Sequence, residues 1–124
     1  MKIILQIHAS IEVLAGFLLL FMPQLLLLQD NPDIGVIALS KLYGIIAFSF
    51  GMMSFVLSKT FSYTKMYKQI ILIIMVFHLV IGLYMYSLYD QHITPHPGAS
   101  VLHLILAVTF VFIYLMNLQK WEPS

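Results

Sequence analysis

The chain has 124 residues, 9% of them charged and 61% apolar, where soluble domains carry roughly 25% charged residues. A soluble domain of this size could not hide so much apolar surface, and six lysines with no arginine leave no basic face for nucleic acid. The absence of cysteine excludes a disulfide scaffold, a zinc-thiolate site and a cysteine nucleophile.

No Asp, Glu, Lys or Arg occurs in 42–58, 69–89 or 91–119, and only Glu12 interrupts 3–29. A bilayer core of about 30 Å needs roughly 20 apolar residues. The pattern predicts an all-α membrane protein, a four-helix transmembrane bundle filling 1–124 as one domain. Span 1 covers about 2–22 and stops before Pro23. Leu25–Leu28 is too short to cross and reads as an interfacial segment returning toward the polar loop Gln29–Asp33. Span 2 covers about 35–58, span 3 about 67–89 and span 4 about 98–119. Span 1 is not expected to be a cleaved signal peptide, because it is too long, carries Glu12 and lacks a small-residue cleavage site.

Lysine placement sets the expected orientation. With four spans, Lys2, Lys59, Lys65, Lys68 and Lys120 share one side, and only Lys41 lies on the other, with Asp30, Asp33 and Asp90. Both termini are therefore expected in the cytoplasm. Trp121, Tyr63 and Tyr67 then fall at the inner interface, and Tyr43 and Tyr89 near the outer one.

Small and polar residues mark the faces that pack. Span 2 carries Ser40, Gly44, Ala47, Gly51, Ser54 and Ser58 on one continuous face, which predicts tight left-handed packing against a neighbour. Span 1 offers His8, Ala9, Glu12 and Gly16. Span 3 offers Ile71, Met75, His78, Gly82, Met85 and Tyr89. Span 4 offers Ser100, His103, Ala107, Phe110, Tyr114 and Asn117. The eight methionines are scattered and read as flexible filler.

Glu12 is the leading site candidate. It lies ten residues beyond Lys2, roughly 15 Å deep, where an ionised carboxylate is costly unless it is protonated, paired or facing water. His8 sits one turn away on the same face. His78, ten residues beyond Lys68, is also placed roughly 15 Å deep, so a Glu12–His78 contact with His8 beneath it is expected. Ser49 and Thr109 have similar depths but lie off the packing faces. His103 is a further ligand-binding candidate near the outer end of span 4. No cofactor is expected. A bis-histidine haem needs two histidines at one level, and His8, His78 and His103 are placed roughly 9, 15 and 25 Å from the inner side. Asp90, His92 and His96 in the outer loop have metal-ligand chemistry, but two prolines break the helix that would align them, so no metal site is expected there.

Ile11-Glu12-Val13 resembles the single acid in the first span of small multidrug-resistance transporters, four-helix proteins of similar length. Span 3 here lacks the tryptophan and glycine motif of that group, and the lysine bias departs from its balanced charge. Leu42-Tyr43-Gly44, Phe77-His78-Leu79 and Leu102-His103-Leu104 look similar to small bacterial four-helix membrane proteins of the DoxX-like kind. That likeness implies a multi-pass protein of the bacterial inner membrane and implies no activity. His8-x-x-x-Glu12 also resembles the acid and histidine pairs of the sterol-isomerase and sigma-2-receptor group.

The leading expectation is a protein that binds a small lipid-like, apolar ligand at an intramembrane Glu/His site, or serves as an accessory subunit. Its partners would be membrane lipids and either a second copy or a larger membrane complex. One alternative is a proton-coupled small transporter using Glu12. Another is a membrane enzyme in which Glu12 and His78 act as acid and base on an apolar substrate. A binding or accessory role is preferred to catalysis.

Overall fold

The computed structural model describes residues 1–28 and 32–121, and every regular element among them is helical. Four helices are long and apolar enough to cross a membrane: α1 (Lys2–Phe21), α3 (Ile34–Thr60), α4 (Lys65–Asp90) and α5 (Gly98–Met116). Large apolar side chains stand exposed along all four, including Leu14 at 60%, Val56 at 59%, Val76 at 59% and Val108 at 67%. Such surface is tolerated in lipid and not in water. Length and composition thus fit a multi-pass membrane protein.

Local chemistry explains the boundaries. α1 closes with the Met22 N–H donating to the Leu18 carbonyl at 2.7 Å, and Pro23, which has no N–H to continue the ladder, opens α2 (Pro23–Leu27). The Leu25–Leu28 segment is thus largely this one short helix, which ends at Leu28 in the left-handed region (φ 50°). Gln29–Asn31 of the expected polar loop lie outside the described residues.

Thr64 caps α4, its hydroxyl facing the Tyr67 N–H at 3.5 Å. Past Asp90, His92 takes a positive φ of 58°, and the N–H groups of Ile93 and Thr94 both turn back onto the Leu88 carbonyl. Pro97 and Gly98 then restart the chain as α5. α5 ends at Met116, three residues short of the expected limit. There Asn117 donates its own amide to the Ile113 carbonyl at 2.8 Å, and a 3₁₀ turn follows over Leu118–Trp121.

The chain forms two compact units, residues 2–60 with α1, α2 and α3, and residues 61–121 with α4 and α5. In the first, α3 packs on α1 through the small-residue face read from the sequence. Gly44, Ala47, Gly51, Ser54 and Ser58 are buried, and Ser40 is half-buried. The approach is backbone to backbone. A Cβ at Gly51 would stand 2.7 Å from the Val13 nitrogen, and one at Gly16 would stand 2.5 Å from the Phe48 nitrogen. In lipid, where apolar burial drives little, close backbone approach of this kind supplies much of the helix attraction.

In the second unit, α4 buries Tyr67, Ile71, Ile74, His78 and Gly82, and α5 buries Ser100, His103, Leu106, Ala107 and Phe110. The Ser100 hydroxyl donates to the Gly82 carbonyl at 2.8 Å, which clamps the first turn of α5 against the C-terminal part of α4. Thr109, off the packing face, donates to the Ile105 carbonyl of its own helix at 2.7 Å.

Candidate functional site

In the first unit, α1 and α3 contribute a chain of buried polar groups. His8 and Glu12 are one turn apart on α1 and only 0% and 3% exposed. His8 Nε2 stands 3.8 Å from a Glu12 carboxyl oxygen, which is proximity beyond hydrogen-bond length. His8 Nδ1 lies 2.9 Å from the Ser54 hydroxyl on α3. Either group can donate there, according to the imidazole tautomer. Phe50, one turn before Ser54, sets its ring edge-to-face on His8 at 5.3 Å and holds the imidazole plane. Carboxyl, imidazole and hydroxyl thus lie in sequence within a mainly apolar helix pair. Such a set of groups can present donors and acceptors to the polar end of an apolar molecule.

Ser54 is legible as part of the small face, but its partner is not, because the register of α1 against α3 is needed to pair it with His8. Glycine supplies that register: Gly16 meets Gly44 and Phe48, and Gly51 meets Ala9 and Val13, as antiparallel helices require.

The second unit holds the other buried histidines. His78 Nδ1 on α4 and His103 Nδ1 on α5 are 2.8 Å apart, a hydrogen bond in which one imidazole donates and the other accepts. Phe110 stacks on His78 at 6.3 Å, and Phe77 meets both rings edge-on. This corrects the depth arithmetic, which placed His103 about 10 Å outward of His78. Two features cause the error. The first turn of α5 lies beside Gly82, eight residues before the end of α4, and α5 stops at Met116, so Lys120 is not a helical ruler for it. The equal level removes the depth objection to a shared haem, but the 2.8 Å separation is a direct hydrogen bond. The two axial nitrogens of a haem lie on opposite sides of the iron, about 4 Å apart given metal–nitrogen bonds of about 2 Å. Glu12 belongs to the unit of residues 2–60 and His78 to the unit of residues 61–121.

In the outer loop, Asp90 and His92 are exposed, and His96 Nδ1 accepts the Gly98 N–H at 3.2 Å. Its role there is to cap the start of α5. Among the described residues, Asp90, His92 and His96 do not bring three ligand atoms within 4.8 Å of one another.

Comparison with protein-family models, with curated proteins and with solved structures finds no match. None of these comparisons supports the likeness to DoxX-like proteins.

Proposed function

We propose that this is a multi-pass membrane protein, with both termini cytoplasmic in a bacterial inner membrane, that binds a small lipid-like molecule at the buried Glu12–His8–Ser54 chain. The supporting observation is the burial of a carboxyl group, at 3% exposure, in the middle turns of a membrane-length helix beside a histidine. Helix association alone gives little reason for that arrangement. Interhelical polar contacts in membranes contribute about 0.6 kcal/mol on average, far less than the expense of an intramembrane acid. Glu12 would bind the polar end of the ligand, with His8 fixing the protonation of the pair and Ser54 holding His8 in place. The lysine excess around spans read as cytoplasmic at their ends supports the orientation.

Thermal stabilisation tests this. Membrane lipid extract, fractionated by polarity, is added to detergent-purified wild type and Glu12→Gln. An apolar fraction should raise the melting temperature of the wild type and leave the variant unmoved, with both folded at the start. Equal responses of the two proteins to every fraction would reject Glu12 as the ligand's contact.

A further inference from the structure

A second site lies where α4 begins and the 3₁₀ turn ends. Phe61, Tyr63, Tyr67 and Trp121 meet edge-on with ring centroids 4.8–5.9 Å apart, and Tyr114 stacks on Trp121 at 5.9 Å. Tyr63 and Trp121 of this cluster line a cavity of about 740 Å³, together with Lys65, Lys68, Lys120 and Gln69. No acidic side chain is among its described lining residues. Lys120 is held in place, its Nζ donating to Asn117 Oδ1 at 2.9 Å and standing 5.3 Å over the Tyr63 ring. Asn117 Oδ1 also accepts the Tyr63 hydroxyl at 3.0 Å. The first turn of α4 adds the partial positive charge of a helix N-terminus.

An independent feature points to a ligand. Trp121 is 5% exposed, lines the cavity, and its indole Nε1–H has no hydrogen-bond partner among the described residues. A buried indole N–H is a donor only and calls for an oxygen. At the apolar end, Leu72 lines both this cavity and a groove of about 460 Å³ that follows α4 past Val76 and Val80. Three cations, an unused donor and an adjoining apolar trough together match one chemistry.

We propose that this is a binding site for an anionic phospholipid, with the phosphate held by Lys65, Lys68, Lys120 and the Trp121 indole and an acyl chain laid along α4 from Leu72. It uses residues 61–121 alone and does not depend on the ligand proposed for Glu12. Free phosphate shares the headgroup chemistry. The lipid is favoured because the apolar groove continues the cavity and because basic pockets at helix ends in membranes take phospholipid headgroups.

The test uses the full chain in nanodiscs of equal phosphatidylglycerol and phosphatidylcholine, with retained lipids counted by native mass spectrometry after gentle release. Each lysine near an anionic headgroup is worth roughly fivefold in binding. The triple variant Lys65→Gln/Lys68→Gln/Lys120→Gln should therefore lose phosphatidylglycerol preference by on the order of tenfold to a hundredfold. Trp121→Phe, which keeps an aromatic ring and removes the N–H, should lose it severalfold. Lys2→Gln/Lys59→Gln should keep it, and millimolar inorganic phosphate should not displace the lipid. Retained preference in the triple variant would overturn the proposal. So would an equal loss in Lys2→Gln/Lys59→Gln, which would make the effect general surface charge. Displacement by inorganic phosphate would overturn the lipid assignment.

Discussion

Gly16→Ala adds one methyl group at the tightest helix contact in the chain. The new Cβ would lie 2.5 Å from the Phe48 nitrogen, 2.8 Å from the Gly44 carbonyl oxygen and 2.8 Å from the Phe48 Cα. All three are backbone atoms of α3, so no rotamer change can relieve them. To restore the 3.4 Å of ordinary contact, α3 must recede from α1 by about 0.9 Å at this point. Overpacking of this kind costs about 1–3 kcal/mol, and the backbone clash places Gly16→Ala near the top of that range. Gly51→Ala meets the Val13 nitrogen at 2.7 Å and the Ala9 oxygen at 2.9 Å, and should follow closely. Gly82→Ala meets chiefly the Leu104 side chain at 2.8 Å, which can turn aside, so about 1 kcal/mol is expected. Phe55→Leu, on an exposed face, should stay within about 0.5 kcal/mol. Thermal unfolding in detergent ranks the four, with a gap on the order of 10 °C between Gly16→Ala and Phe55→Leu. Equal melting temperatures for these two would refute the backbone-to-backbone packing of α1 on α3.

Gly51→Leu and Ala47→Leu, which drive larger side chains into the same face, should abolish recovery of folded protein on size-exclusion chromatography, while Phe55→Leu elutes normally. Ser54→Ala removes the 2.9 Å bond to His8 Nδ1 and should lower stability by about 1 kcal/mol in the same melting assay. Thr109→Val, whose hydroxyl bonds only within its own helix turn, should leave the melting temperature unchanged. A reporter fused after Ser124 should read out in the cytoplasm, as the lysine bias requires. A periplasmic signal would reverse the orientation.

The helices and the small face of α3 were legible because both are periodic. Charge-free runs of membrane length mark the spans, and glycine, alanine and serine at alternating steps mark the side on which backbones touch. The burial of Glu12 and His8 was also anticipated, since a titratable group at that depth has few alternatives to facing protein. Two things were not legible. The His78–His103 bond depends on how far back along α4 the chain restarts after Asp90, a matter set by His92 at positive φ and the paired N–H bonds onto Leu88. No hydrophobic period encodes that distance. The gathering of Trp121 with Phe61, Tyr63, Tyr67 and Tyr114 depends on the 3₁₀ turn after Asn117. The sequence places Trp121, Tyr63 and Tyr67 at one interface but does not pair them.

The most direct measurement on the central claim is mass spectrometry of the lipids and small molecules that copurify with the full chain, comparing wild type with Glu12→Gln. The buried Glu12–His8–Ser54 chain leads us to expect an apolar species with one polar end, stoichiometric with wild type and lost from a variant that still folds. Identical copurifying molecules in both proteins, or only bulk phospholipid in each, would contradict it.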